Sequence, residues 1–410
     1  MSMSQVSRRH LLLAGASAIP GLRAAKSKLT AVRHMRLHGD RTTYCGHPRQ
    51  GGLFYFGNGE LVVLHNHATV TYQKREDVQH DFYGYHARSV LLLQRSRDYG
   101  GTWPGPDEVK VWNEAAPLEE REKFVLSAFT SPRRNMDLSK PGSMVVFPRT
   151  FLGPNQYGAP QMMSFALRSS DRGGTWDSVP TLLLPPPGCY SATPDNAPIV
   201  RLPDGTWAFP MRTYGGRSSV DLYVSNDDGL SWNFRGGITE PSHYPALILL
   251  QSGRLQCYNY PLGMCYSDDG GKTWSGRTVI LPPAPSPWLP EDPFYHEELA
   301  HRSPAPLLLR DGRIVLLFAR RISAKRGIGL MVSEDGGKSW SPDLILRDDA
   351  SMYQKTKVLG MSTEYSDIGY PLACEFEDGR IFTAYYFMVA DGTMFGGARF
   401  VAGSYFRLNY

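Results

Sequence analysis

Ser169-Ser170-Asp171-Arg172-Gly173-Gly174-Thr175-Trp176 is the stretch that decides the fold, because the chain repeats its pattern four more times. The other copies are Ser96-Arg-Asp98-Tyr-Gly100-Gly-Thr-Trp103, Ser225-Asn-Asp227-Asp-Gly229-Leu-Ser-Trp232, Ser267-Asp-Asp269-Gly-Gly271-Lys-Thr-Trp274 and Ser333-Glu-Asp335-Gly-Gly337-Lys-Ser-Trp340. The physics of such a stretch is local. An Asp side chain can accept the backbone N–H groups of its own turn, the Gly supplies a positive φ, and the Trp folds back over the hairpin as a small satellite core. The repeated aspartates are therefore read as structural, not catalytic.

A second repeat interleaves with the first: a short polar turn with Gly between two apolar strands. It occurs six times, at Asn58-Gly59-Glu60, Pro141-Gly142-Ser143, Asp204-Gly205-Thr206, Ser252-Gly253-Arg254, Asp311-Gly312-Arg313 and Asp378-Gly379-Arg380. The flanks are strand-like, as in Ile314–Phe318 and Ile381–Tyr385, so each turn closes a hairpin. Each unit reads strand, Gly turn, strand, strand, Asp turn, strand. Six units predict an all-β fold, a six-bladed β-propeller of four-stranded antiparallel blades, whose sixth blade (about 365–410) lacks the Asp turn.

Composition agrees. The 410 residues include 41 Gly and 31 Pro, and aromatics make up 12%, which suits short strands joined by tight turns better than a helical bundle. The net charge of +5 carries no long basic stripe interleaved with aromatics, so nucleic acid is excluded as a partner. After the first thirty residues no apolar run is long enough to span a bilayer. Residues 1–26 read as an export signal: Ser7-Arg8-Arg9-His10-Leu11-Leu12-Leu13, an apolar stretch through Ala18 and small residues at Ala24-Ala25 resemble a twin-arginine leader. The alternative is a basic tail that happens to hold two arginines. A single propeller is expected over 40–410, in a periplasmic or secreted protein without a membrane span. Cys257 and Cys265 lie symmetrically about Pro261 and should face each other across a hairpin, as a bridge or as buried thiols. The five cysteines form no CxxC pair, and no cofactor or metal is expected.

In a propeller the innermost strands begin at one mouth, so equivalent positions of the repeat converge there. Counting ten and nine residues back from each turn Gly gives Arg49-Gln50, Pro132-Arg133, Asp195-Asn196, His243-Tyr244, Arg302-Ser303 and Gly369-Tyr370. Counting seven or eight forward gives Asn66-His67, Arg149-Thr150, Arg212-Thr213, Tyr260-Pro261, Ala319-Arg320 and Tyr386-Phe387. Arg49, Arg212, Arg302 and Arg320 are the candidate substrate clamps, with His67 and Tyr244 beside them, since guanidinium forks suit a carboxylate. Each arginine has a bland alternative, pairing with a structural acid such as Asp195, Glu297 or Glu298.

The repeated Asp turns, known as Asp boxes, together with six blades resemble the sialidase (neuraminidase) superfamily over roughly residues 40–410. Gly369-Tyr370-Pro371, seven residues before Asp378-Gly379, is similar to that family's last blade, where a nucleophilic tyrosine precedes such a turn. The resemblance implies an exo-glycosidase that hydrolyses a terminal acidic sugar from a glycan or glycoconjugate. At an anomeric carbon that already bears a carboxylate, a neutral phenol avoids the repulsion a carboxylate nucleophile would meet. The resemblance also implies an acid/base Asp on the loop after blade one's second strand, where Asp77 and Asp81 are available and Asp81, among aromatic neighbours, is the candidate. The family's Glu partner for the tyrosine is replaced by Tyr385-Tyr386, leaving Glu364, Glu297 and Glu298 as possible substitutes. Blade one holds His47, His65, His67, His80 and His86. His65 and His67 share a strand face, which suits a metal-ligand pair or, more simply, histidines hydrogen-bonded near the pore. The same histidines open a second mechanism, that of His/Tyr-dependent polysaccharide lyases. A glycosidase of another sugar and a non-catalytic carbohydrate-binding propeller complete the alternatives.

Overall fold

The computed structural model describes residues 28–48, 52–78, 84–105, 109–154, 160–194, 198–215, 219–239, 242–281, 301–321, 325–351, 353–358 and 361–409. Small antiparallel sheets form a six-bladed propeller, and 118–130 is the one α-helix among the described residues. Blades four and five run inside to outside as His243–Leu249, Leu255–Tyr260, Gly263–Ser267, Thr278–Val279 and Arg302–Leu308, Ile314–Arg320, Gly327–Ser333, Leu344–Arg347. In blades one and three the inner strand is broken in two, Thr43–Gly46 with Gly52–Tyr55 and Cys189–Pro194 with Val200–Arg201. Blade two departs from the four-strand expectation: 132–138 is not a strand, and the sheet begins at Met144–Val146.

The ring closes through the chain's two ends. Lys28–His38 pairs antiparallel with Arg399–Asn409, so the sixth blade takes its outermost strand from ahead of residue 40. A strand from one terminus completing a sheet from the other makes ring opening cost a whole strand ladder. The apolar cores lie between neighbouring blades. Phe376 and Phe382 of blade six meet Leu61 and Val63 of blade one, and Met331 and Trp340 of blade five meet Tyr258 and Met264 of blade four.

The Asp boxes fold as their chemistry dictates. In all five, the Gly N–H donates to the Ser hydroxyl at 2.8 Å, and the Ser hydroxyl donates to the Asp carboxylate at 2.7–2.9 Å. The Asp also accepts the backbone N–H of the Thr or Ser four residues on, at 2.8–2.9 Å. Burial disfavours the charge at Asp98, Asp171, Asp227 and Asp335, but these hydrogen bonds outweigh it and hold the carboxyls below their usual range.

Each box glycine also rests on the preceding blade. A methyl built on Gly173 would strike Leu93 of blade one, and one built on Gly271 would strike Leu222 of blade three. The box is therefore an inter-blade joint as well as a turn. Gly173→Ala combines this collision with a φ of +86° and is expected to cost about 3 kcal/mol. Gly253→Ala, at φ +85° with nothing within 4 Å, should cost only about 1 kcal/mol. Urea unfolding of the two variants checks the difference; equal losses would contradict the joint.

Cys257 and Cys265 are directly opposite cross-strand partners, both buried, and both are free thiols. No helix among the described residues is long and apolar enough to cross a membrane. Residues 1–26, expected to be an export leader, lie outside the described residues.

Candidate functional site

The same backbone device recurs at the inner end of four blades. His47, Tyr244, Ser303 and Tyr370 each stand immediately before a proline and each have a positive φ, between 54° and 59°. In blades four, five and six this is a β-bulge, between His243 and Ala246, Arg302 and Ala305, and Gly369 and Leu372. A left-handed conformation at a bulky residue costs of order 1–3 kcal/mol and persists where the surrounding fold imposes it, commonly at functional sites. Here it re-aims the side chain. Tyr244, Tyr260, Tyr370 and Tyr386, from blades four and six, form one aromatic cluster.

Tyr370 is the hub of this cluster. The Tyr244 ring stands edge to face against it at 5.4 Å, the His47 ring at 4.8 Å, and Tyr386 lies 5.8 Å away. Two guanidinium groups converge on the neighbouring ring: Arg302 lies 4.8 Å and Arg212 5.4 Å from the centroid of Tyr244. Arg302 also donates to the Tyr244 hydroxyl. Arg212 donates to His243 Nδ1 at 2.6 Å; because an arginine never gives up its proton, His243 is the acceptor there. Tyr370, Tyr244, Arg302 and Arg212 are thus brought together as the repeat counting predicted.

Beneath the funnel lies a buried polar network that the sequence did not reveal. Asp367, 2% exposed, accepts the hydroxyls of Tyr386 at 2.6 Å and Tyr44 at 3.1 Å. Arg321, 3% exposed, donates to Tyr386 Oη at 2.5 Å and to the Ile368 carbonyl at 2.8 Å, and lies 3.7 Å from Asp367. Arg399 lies 3.5 Å from the other carboxylate oxygen of Asp367. Burial, helped by the Asp367 charge, pushes the phenols of Tyr44 and Tyr85 well above their ordinary value. Burial does the same for Tyr386, with Arg321 opposing and Asp367 adding. These phenols stay protonated and serve as donors. Tyr85 shares a 2.6 Å hydrogen bond with His47 Nδ1 and stacks on Tyr44 at 3.7 Å. Asp367 is the carboxylate that binds Tyr386, one of the two tyrosines standing where the resemblance expects a Glu, and Tyr386 in turn packs beside Tyr370. Its only sequence signal is its place three residues before Tyr370.

Other expectations are corrected. Arg320 does not enter the funnel: it pairs with Asp343 and donates to the Lys325 carbonyl, while its neighbour Arg321 turns inward. A step of one residue at a strand end reverses the face. His67 likewise faces away, toward His38 and Cys45. Arg133 is engaged by the Leu230 carbonyl. Asp77 accepts the Thr71 hydroxyl and the Gln73 and Lys74 N–H groups; these bonds overcome its burial and hold its carboxyl below the usual range, so it ties a loop and is a poor acid. Arg49, Asp81, His80, Asp195, Glu297, Glu298 and the Glu364 side chain lie outside the described residues. In blade one the position equivalent to Tyr370 is His47, since Pro48 and the φ of +54° mark it.

Beside the funnel, Asn66, Arg149, Trp112, Glu114 and Pro194 line a cleft between blades one, two and three. Burial raises the Glu114 carboxyl, although the Phe151 N–H at 2.9 Å and Arg121 at 2.9 Å support its charge. Glu114 is a second buried acid at the mouth that the repeat counting missed, because it lies past blade one's outer strand.

An Asp-box chain folded into six antiparallel blades has the architecture of the sialidase-type propellers. The chain belongs to the BNR repeat-like domain family, whose model matches residues 106–383. No curated protein matches it. Among solved structures, a protein of unknown function from Dyadobacter fermentans DSM 18053 is similar at 17% identity and a TM-score of 0.65, over 92% of this chain and 99% of that one. The Hadza microbial sialidase Hz136 is similar at 15% identity (TM-score 0.56, 89% of this chain and 65% of that one). Trypanosoma rangeli sialidase in complex with the inhibitor DANA is similar at 12% identity (TM-score 0.57, 92% and 60%). The chain thus spans 60–65% of the length of these two sialidases. At such identities the likeness concerns the fold.

Proposed function

We propose that the protein is an exo-glycosidase that hydrolyses a terminal acidic sugar from a glycoconjugate, in the manner of a sialidase. The observation that carries this reading is the convergence of Arg212 and Arg302 on Tyr244, beside Tyr370. Paired guanidinium groups provide a clamp for the sugar carboxylate, and the adjacent phenol is the nucleophile suited to an anomeric carbon that carries that charge. A phenol near neutrality needs a base. His47, edge-on to Tyr370, has its Nδ1 occupied by the Tyr85 hydroxyl, so Asp367, behind Tyr386, is the proposed acceptor of the proton. Asp81 is the proposed acid for the leaving oxygen. The twin-arginine-like leader supports export, which would place the enzyme with extracellular glycans.

Charge-assisted hydrogen bonds contribute about 1.5–3 kcal/mol, so Arg302→Gln is expected to raise KM for a fluorogenic sialoside about 10- to 100-fold. The check is steady-state kinetics, with a neutral glycoside as control; an unchanged KM for the sialoside removes Arg302 from the clamp.

One contact favours a second reading. A histidine, bonded to Tyr85 and packed on Tyr370, is the pair a lyase needs to remove an α-proton and protonate the leaving oxygen while arginines neutralise a uronate. Such an enzyme releases an unsaturated product, and a hydrolase does not.

A further inference from the structure

Away from the funnel, three metal-ligating side chains meet where the ring closes. His38 ends the strand Lys28–His38, Cys45 lies in Thr43–Gly46 and His67 in Leu61–Thr69. Cys45 and His67 are directly opposite residues of paired strands, which brings their side chains to one place. His38 reaches them from the sixth blade. Its ring stacks at a tilt against both His67 and His65, with centroids 5.2 Å away in each case.

The distances suit a shared ion. His38 Nε2 lies 3.2 Å and Cys45 Sγ 3.6 Å from His67 Nδ1, and the three ligand atoms all lie within 4.8 Å of one another. Tetrahedral zinc, with bonds of about 2.0–2.1 Å to nitrogen and about 2.3 Å to sulfur, requires N···N and N···S separations of about 3.4 and about 3.6 Å. Imidazoles and a thiolate select a borderline transition ion over calcium or magnesium. A second layer is also in place: Cys45 Sγ lies 3.8 Å from the Thr43 hydroxyl, which bonds to the Asp40 carboxylate at 3.3 Å. His65 closes the inner wall, held by Gln94 at 3.1 Å and by the Asn66 carbonyl at 3.2 Å. Cys45 is fully buried while His38 and His67 are half-buried, so a fourth position opens toward solvent.

We propose that His38, Cys45 and His67 form a binding site for a divalent transition ion of the zinc class, with water as the fourth ligand. His38 belongs to the last blade and the other two ligands to the first. The ion therefore clasps the seam at which the N-terminal strand completes the ring, and its binding adds to the stability of the closed propeller. The proposal is independent of what the funnel binds.

The test uses the full-length protein under reducing conditions. Cobalt(II) is titrated in, followed by zinc. The expected result is a thiolate-to-cobalt charge-transfer band that saturates at one equivalent, is displaced by zinc, and is lost in Cys45→Ser. Zinc should raise the thermal midpoint of the wild type and leave that of Cys45→Ser unchanged, with circular dichroism confirming that the variant is folded. If Cys45→Ser does not fold, His67→Gln, at a half-buried position, should weaken the band and the zinc-induced shift. Absence of the band in folded wild type, or its persistence in Cys45→Ser, overturns the site.

Discussion

Tyr370→Phe is expected to lower kcat on an acidic-sugar substrate by about a thousandfold or more while leaving the protein as stable as the wild type. Removing a nucleophile costs a large part of an enzyme's rate enhancement, since the residues around it cannot form the covalent bond. The fold should not register the change. The ring packs against Tyr244, His47 and Tyr386, all of which phenylalanine retains, and no hydrogen bond of the Tyr370 hydroxyl is found among the described residues. Rate and unfolding midpoint, measured on the same preparation, separate the two effects. Wild-type hydrolysis by the variant would remove Tyr370 from the chemistry. Loss of rate together with loss of stability would make it a packing residue.

Arg321→Met is expected to have the opposite profile, with stability falling by about 3–5 kcal/mol. Removing one partner of a buried ion pair leaves the other charge uncompensated in a poor dielectric. Here the stranded group is Asp367, with Tyr386 losing a bond as well. Arg399 at 3.5 Å limits the loss but does not replace the fork. Adding Asp367→Asn should recover part of it, because the stranded charge is then gone. An exposed pair provides the contrast. Arg254 bonds to Asp268 at 2.7 Å, but both side chains are substantially exposed, and Arg254→Met should change stability by no more than about 0.5–1 kcal/mol. Urea unfolding of the three variants checks the set. A loss in Arg321→Met no larger than that in Arg254→Met would mean the buried network is not what holds Tyr386 beneath Tyr370.

What was legible in the sequence follows from how local its cause is. The Asp box is a set of hydrogen bonds within eight residues, so five copies announce the blades without any tertiary information. The convergence of Tyr244, Arg302 and Tyr370 was legible because equal spacing from a turn glycine means equal position on a blade. That ruler fails where a blade is irregular. His47 stands twelve residues before its turn glycine, against nine for Tyr244, Ser303 and Tyr370, so the count fell on Arg49-Gln50 instead. It also fails by one residue at Arg320, where the strand ends and the face changes. Two features had no local signal. Lys28–His38 joins the sixth blade by pairing with residues some 370 positions away, and no motif marks it. Asp367, Arg321, Arg399 and Tyr44 come from four separate parts of the chain, and only their shared burial reveals the network.

In the proposed function, the residues around Tyr370 hydrolyse the glycosidic bond of an acidic sugar. Product analysis tests it most directly: the wild-type protein is incubated with a sialoside and, in parallel, with uronate polysaccharides, and the products are identified by mass spectrometry and ultraviolet absorbance. The expected product is free acidic sugar, one water heavier than the residue it leaves as, with no unsaturated product. An unsaturated uronate, or no turnover of either substrate, would contradict it.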